Sequence, residues 1–181
     1  MSGSAPVKFS DDALRLIQKV ITRYPAGKQK SAILPVLHIA QAECGGWLSP
    51  EVMDYVASLL QIQPIEVYEV ASFYTMFNLK PVGKCVIEVC RTGPCWLMGA
   101  EDIMAYMERK LGIREGQTTA DGMFTLKAVE CLASCGTAPM MQIGETYHEN
   151  LTPEKVDTIL DQCRNTITEP VSHWRKEKIK A

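Results

Sequence analysis

The sequence predicts an α+β fold in which an N-terminal helical bundle precedes a mixed β-sheet with helices packed on it. Apolar residues recur at helical spacing through the first eighty residues. After Lys80-Pro81-Val82-Gly83 the pattern changes to short β-branched segments that alternate with helical ones. A chain of 181 residues is also long enough to bury hydrophobic cores without disulfide bonds.

The first two helices are predicted from their caps and breakers. Ser10 caps a helix whose apolar positions continue to Tyr24, and Pro25 stops it. The second helix is expected from about Ser31 to Cys44, with Pro35 in its first turn or at a kink. The apolar residues predicted to face inward from the second helix are Leu34, Leu37, Ala40 and Cys44.

The third and fourth helices each begin at a proline, which suits the first helical position because its missing N–H has no helical partner there. Ser49 caps the third helix, which starts at Pro50 and continues to about Leu60. The fourth starts at Pro64 and carries its apolar stripe through Tyr74. These four helices form the predicted bundle over residues 1–80, and we expect it to serve docking.

The second half predicts a sheet with two helices. Its expected elements are a strand over 84–90, a helix over 99–111, a strand over 124–130, a hairpin of strands 140–143 and 145–148, and a helix from Thr152 to about Arg164. This order is close to the thioredoxin plan, a mixed sheet with helices on its faces. The predicted domain covers 81–168, and 169–181 is expected to be a loosely held polar tail.

Composition excludes two classes of partner. The formal net charge is −2 and the basic residues are scattered, so no basic patch is available for nucleic-acid phosphates. No segment reaches the roughly 18–20 uninterrupted apolar residues that a bilayer span needs, so no direct membrane insertion is expected. The first residues resemble neither a signal peptide nor a transit peptide, which makes a cytoplasmic location the default prediction.

Four of the seven cysteines form two pairs, each just after a predicted strand. Four residues separate Cys90 from Cys95, and three separate Cys131 from Cys135. If the two strands are parallel, their carboxyl ends meet at one edge of the sheet, and the two loops lie together. Four thiolates from two adjacent loops are what a [2Fe–2S] cluster requires, two for each iron.

The spacing alone leaves alternatives open. Four cysteines with these separations also suit one structural zinc ion, which would make the chain a zinc-stabilised docking module. Uncoordinated or redox-active thiols are the third interpretation, although a thiol–disulfide oxidoreductase is disfavoured because the sequence has no C-x-x-C motif. A zinc protein is colourless, whereas an iron–sulfur protein is brown-red as purified.

Residues beside the two pairs suit an anionic cluster, although each is also an ordinary turn residue. Gly93 and Gly136 would let the backbone approach the sulfur atoms. Arg91 would raise a reduction potential by stabilising the added electron, and Thr92 or Ser134 would donate a hydrogen bond to sulfur.

The remaining candidates are predicted to be structural. Cys44 and Cys163 fall on apolar stripes of helices and Cys85 opens a buried strand, and in such places a free cysteine behaves as a small hydrophobe. Trp96 follows Cys95 directly, and we expect it to pack against the protein rather than to shield a cluster. The three histidines are too far apart in the sequence to suggest a ligand set.

Longer sequence blocks resemble a known family. Beside the four cysteines, the blocks are 46–48 (GWL), 67–74 (VYEVASFY), 80–84 (KPVGK), 111–113 (LGI), 124–126 (FTL) and 138–140 (APM). They make the chain similar to the E-subunit family of respiratory NADH-quinone oxidoreductase, complex I, from about Asp11 to about Arg164. The resemblance implies a thioredoxin-like [2Fe–2S] ferredoxin domain whose four ligands are Cys90, Cys95, Cys131 and Cys135.

The resemblance also implies the chain's role and partners. Family members are subunits of an oxidoreductase and exchange single electrons with FMN on a larger flavoprotein subunit, which also holds the NADH site. They lie with other peripheral-arm subunits on the cytoplasmic or matrix face of the membrane. The chain has no G-x-G-x-x-G motif, so we expect no NADH site on it. The equivalent subunit of an NAD-linked hydrogenase or formate dehydrogenase remains an alternative, as does a free-standing ferredoxin.

Overall fold

A computed structural model describes residues 7–171, which fall into two compact units, 7–81 and 82–171. No helix within these residues is long and apolar enough to cross a bilayer. The tail predicted over 169–181 lies mostly outside the described residues. Val171, the last of them, donates its backbone N–H to the Lys84 carbonyl at 2.7 Å.

The first unit is built of helices, as predicted. Its elements are α1 (Asp11–Ile21), a 3₁₀ turn (Gln29–Ala32), α2 (Ile33–Glu43), α3 (Pro50–Leu60) and α4 (Pro64–Phe73). Ser10 accepts the Ala13 N–H and Ser49 accepts the Val52 N–H, so both predicted caps are confirmed. α1 ends three residues before Tyr24, because a residue that precedes proline is sterically disfavoured in the helical region.

The buried face of α2 differs from the predicted stripe. Leu37 and Ala40 are fully buried, but Leu34 is 38% exposed and Cys44 is only half-buried. The residues of α2 that are buried are Ile33, Val36, Leu37, Ile39, Ala40 and Gln41. Apolar residues lie on most sides of this helix, so sequence spacing alone could not identify its inward face. Pro35 falls in the first turn, which is one of the two predicted positions.

The second unit is the mixed sheet with helices that the sequence predicts. Its elements are β1 (Cys85–Cys90), α5 (Gly93–Leu97), α6 (Ala100–Leu111), β2 (Phe124–Val129), a 3₁₀ turn (Cys135–Thr137), β3 (Met141–Ile143), β4 (Thr146–His148) and α7 (Pro153–Thr166). The strand order is β2-β1-β3-β4. β1 pairs parallel with β2 and antiparallel with β3, and β3 pairs antiparallel with β4.

The two faces of β1 lie against different surroundings. Cys85, Ile87 and Val89 point into a core that includes residues of α6 and α7. Cys90, the last residue of the strand, belongs instead to a smaller apolar cluster. Side chains alternate between the two faces of a strand, so the odd-numbered residues of β1 face the main core and Cys90 faces the opposite side. The sheet therefore presents Cys90 away from its main core.

Gly83 leads the chain into β1 through a close approach of two backbones. A Cβ at this position would lie 2.9 Å from backbone atoms of Met123 and Phe124, which leaves room only for glycine. The Gly83 N–H also donates to the Thr125 hydroxyl at 2.7 Å. Glycine here thus lets the start of β1 lie beside the start of β2, from which both strands extend toward the cysteine loops.

Candidate metal centre

The four paired cysteines lie where the two parallel strands end. Cys90 closes β1, and Cys95 lies in α5, which begins three residues later. Cys131 follows the end of β2 by two residues, and Cys135 begins the second 3₁₀ turn. Because Cys90 is paired in register with Val129, both cysteine loops leave the sheet at the same edge.

The two pairs have opposite exposure. Cys90 and Cys95, the inner pair, are 2% and 1% exposed within an apolar cluster with Ala100, Ala138 and Met140. Cys131 and Cys135, the outer pair, are exposed. The candidate centre therefore has one side in the protein interior and one side at the surface.

Within the outer pair the two sulfur atoms are 3.7 Å apart. The backbone N–H of Ala133 donates to the Cys131 sulfur at 3.4 Å. The Thr92 hydroxyl lies 3.4 Å from the Cys90 sulfur and also hydrogen-bonds Cys131. Thr92 thus contacts one sulfur of each pair, and a hydrogen bond to sulfur was the role predicted for Thr92 or Ser134. Across residues 7–171, no three His, Cys, Asp or Glu side chains are grouped closely enough to hold a single ion.

The inner pair contains one thiol that ionises readily and one that does not. Burial raises the pKa of Cys90, but hydrogen bonds from the Thr92 hydroxyl and from the backbone of Leu132 and Thr92 outweigh it, so its pKa is lowered. Burial and a hydrogen bond to the Cys90 sulfur raise the pKa of Cys95 to about 11. Cys90 is therefore the first thiolate of this pair.

The outer pair also contains one thiol with a lowered pKa and one with a raised pKa, but the causes differ. The Ala133 N–H, followed by hydrogen bonds from Cys135 and Thr92, lowers the pKa of Cys131. The hydrogen bond to the Cys131 sulfur, with the charge there, raises the pKa of Cys135. Each loop thus stabilises one thiolate, which is the protonation state in which cysteine binds metal.

Residues 17–164 match the family model described as thioredoxin-like [2Fe–2S] ferredoxin. The chain belongs to this family. It is 49% identical over 157 residues to the E-subunit of NADH-quinone oxidoreductase from Rickettsia bellii, covering 87% of this chain and 94% of that protein. It is 43% identical to "NADH dehydrogenase [ubiquinone] flavoprotein 2, mitochondrial" of Dictyostelium discoideum, covering 88% of this chain and 65% of that protein.

Among solved structures, the chain is similar to an NAD⁺-reducing [NiFe]-hydrogenase in the H₂-reduced state. The TM-score is 0.64 at 22% identity, and the match covers 80% of this chain. The chain spans about a quarter (24%) of the length of that hydrogenase chain. At this identity the likeness shows the fold alone, which is the predicted thioredoxin-like α+β fold.

The residues of this ferredoxin fit the cluster that its family description names. Four thiols are available in two adjacent loops, and in each loop a hydrogen-bond donor stabilises one of them as the thiolate. Two sulfur atoms 3.7 Å apart at the outer pair suit two ligands of one iron in a tetrahedral arrangement. The apolar surroundings of the inner pair would keep water away from one side of the group.

A polar network that the sequence did not predict holds the outer loop of the ferredoxin. The Glu149 carboxylate accepts hydrogen bonds from the Ser134 and Thr137 hydroxyls, the latter at 2.7 Å. Ser134 therefore donates to this carboxylate, and its predicted bond to a cluster sulfur has no support here. Glu149 lies beyond β4 with no motif to mark it, so only the folded chain reveals the contact.

Arg91, Gly93 and Gly136 were also predicted to favour an anionic cluster, and each has defined surroundings within the protein itself. The Arg91 guanidinium pairs with the Glu130 carboxylate, which offsets the charge it was expected to offer to a cluster. A Cβ at Gly93 or Gly136 would meet no protein atom within 4 Å, so the protein itself does not require glycine there. The left-handed residue of the outer loop is Ala133, at φ 63°.

Trp96 is not packed in the way the sequence suggested. It is 54% exposed, and the two residues after it, Leu97 and Met98, are 75% and 61% exposed. α5 is a single short helix whose one buried residue is Cys95, so the neighbouring apolar side chains point outward. These three residues, 96–98, form an exposed apolar turn directly beside the inner pair.

The other cysteines lie elsewhere in the molecule. Cys85 and Cys163 are buried in the main core of the second unit, as predicted, and their thiols hydrogen-bond each other. This bond, followed by burial, raises the pKa of Cys85 strongly, which disfavours its thiolate as a metal ligand. Cys44 lies in the first unit. The arrangement therefore separates four candidate ligands from three structural thiols.

Proposed function

We propose that the chain is the electron-transfer subunit of the NADH dehydrogenase module of respiratory NADH:quinone oxidoreductase, with one [2Fe–2S] cluster on Cys90, Cys95, Cys131 and Cys135. The observation that carries the proposal is the meeting of two cysteine loops at one sheet edge, each with a stabilised thiolate. Similarity to relatives named as subunits of NADH-quinone oxidoreductase supports the choice of complex.

A [2Fe–2S] cluster supplies one-electron chemistry. The chain's own groups would set the conditions for it. The four cysteines hold the group, and the Ala133 N–H and the Thr92 hydroxyl donate to sulfur, which stabilises negative charge there. The inner loop excludes water, while the exposed outer pair leaves one side open to a partner.

The partner that we propose is a larger flavoprotein subunit that holds FMN and the NADH site and exchanges single electrons with this chain. The exposed apolar turn at residues 96–98 supports docking close to the inner pair, because Trp and Met are enriched at the buried centres of interfaces. Tyr147, which is 46% exposed and donates to the Leu132 carbonyl at 2.8 Å, offers an exposed aromatic side chain at the outer loop.

The first unit is proposed to supply further docking surface for peripheral-arm subunits. Ile65 and Phe73 on α4 are 62% and 76% exposed, more than any other large apolar side chain that the structure describes in this unit. Membership of such an arm would place the chain at the cytoplasmic face of the membrane through its partners.

The test is the iron and sulfide content of the anaerobically purified chain, with EPR after dithionite reduction. We expect about two irons and two sulfides for each chain and a spin-one-half signal. Cys95→Ala and Cys131→Ala should lose both while the helical content by circular dichroism is retained. Cys85→Ala is the matched control and should keep the cluster. Stoichiometric zinc without an EPR signal would overturn the proposal and favour a structural zinc site.

A further inference from the structure

An ion pair joins the two cysteine loops at their first residues. Arg91 follows Cys90 directly, and Glu130 directly precedes Cys131. The Arg91 Nη2 and Nε atoms donate to one carboxylate oxygen of Glu130, at 2.9 and 3.2 Å. The two side chains thus bridge the point at which the strands diverge into loops.

The backbone fixes this contact. The last paired residues of the parallel strands are Cys90 and Val129, so Arg91 and Glu130 stand at the next step of the same register. The Arg91 N–H donates to the Val129 carbonyl at 3.0 Å, which extends the strand pairing by one bond. Both side chains are more than half exposed, at 58% and 71%, so water screens their charges in part.

We infer that Arg91 and Glu130 are a positioning pair for the metal centre: they hold the two ligand-bearing loops together, and their opposite charges offset each other beside the ligands. The inference rests on the proposed function, since it assigns a role around the same four cysteines. A cation next to a group that gains an electron favours the reduced form, and an anion disfavours it. Because the two opposite charges lie together, the net electric field that they produce at the metal centre is small.

Single and double neutralisation separate the electrostatic role from a merely mechanical one. In Glu130→Gln the arginine loses its counter-charge, and the ratio of reduced to oxidised cluster at a fixed solution potential should rise about threefold, as suits exposed charges. In Arg91→Gln the carboxylate is left alone, and the ratio should fall by a similar factor. The double variant R91Q/E130Q should return close to the starting ratio.

The holding role has its own measurement. Cluster loss to a chelator, followed by the decay of visible absorption, should be severalfold faster in each single variant. The exchanged variant R91E/E130R restores the ion pair with its charges swapped and should retain the cluster nearly as long as the unmodified chain. Arg109→Gln, which removes an exposed positive charge in the last turn of α6 instead, serves as the matched control for a change of surface charge.

The outcomes are decisive in each case. Opposite shifts in the two single variants that cancel in the double variant, with recovery of retention in the exchanged variant, support the inference. Shifts of the same sign, or no change in either measurement, overturn it. Cadmium binding to the iron-free chain, titrated by thiolate absorption, tests the loop contact separately and should weaken severalfold in each single variant. If the unmodified chain holds no iron but cadmium binding still weakens in the single variants, the result counts against the proposed function and not against the loop contact.

Discussion

The two cysteine loops reach the same centre but are held by different forces. The inner loop places Cys90 and Cys95 in an apolar cluster, where packing fixes them. The outer loop exposes Cys131 and Cys135 and is held by hydroxyl and carboxylate contacts around Glu149. A metal site built in this way has one rigid, dry side and one accessible, polar side. We therefore expect the two loops to respond differently to the same chemical change.

Thiol reactivity should show the largest difference. In the iron-free, reduced chain, iodoacetamide should modify Cys131 about a hundredfold faster than Cys90 or Cys95, because the buried thiols react only when the loop opens. The lowered pKa of Cys131 means that its rate reaches half-maximum at a lower pH than that of Cys135, whose pKa is raised. Peptide mapping by mass spectrometry across a pH series measures both. Equal labelling of the inner and outer pairs would show that the burial contrast is absent in solution.

The same contrast should appear in stability. Cys90→Ser with Cys95→Ser places two hydroxyls in an apolar cluster and should lower the free energy of unfolding of the iron-free chain by about 2 kcal/mol. The matched pair Cys131→Ser and Cys135→Ser changes exposed groups and should leave it unaltered. Urea denaturation of both double variants makes the comparison. If the Cys131→Ser, Cys135→Ser variant is destabilised, the exposure of these side chains does not predict their contribution to the free energy of unfolding.

The outer loop should depend on its carboxylate. Glu149→Gln keeps the size of the side chain but removes the charge that accepts the Ser134 and Thr137 hydroxyls. Backbone amides of 134–137 should then exchange with deuterium about tenfold faster, since charge-assisted hydrogen bonds are stronger than neutral ones. Amides of α5 beside the inner pair are the internal control and should be unchanged. Equal acceleration in both loops would indicate one cooperative unit.

Much of this architecture was accessible from the sequence because local signals agree with the fold. Ser49-Pro50 marks the start of α3, and Gly112, in the left-handed conformation, marks the end of α6. The β-branched run of β1 and the cysteines after it predicted both the strand and the loop that follows. These features need only neighbouring residues to be recognised.

What the sequence missed depends on distant contacts. α5 is one short turn, and its Cys-containing segment has too few residues for any periodicity. The contact of Ser134 with Glu149 joins residues fifteen positions apart, with no motif to connect them. Trp96 was expected to pack against the protein, but its direction follows from the burial of Cys95 beside it. Such details are set by packing and not by propensity.

The register of β1 against β2 has a consequence for how this protein tolerates changes in length. Cys90 is matched to Val129, and side chains alternate between the faces of a strand. A slip of one residue would turn Cys90 into the main core and bring Val89 to the ligand edge, even though the number of backbone hydrogen bonds stayed the same. Residues 116–119 also pair with β2, through the Gly116 N–H to the Leu126 carbonyl and the Thr119 N–H to the Phe124 carbonyl. Natural or engineered variation in length is therefore expected to be excluded from the two strands and from this paired segment.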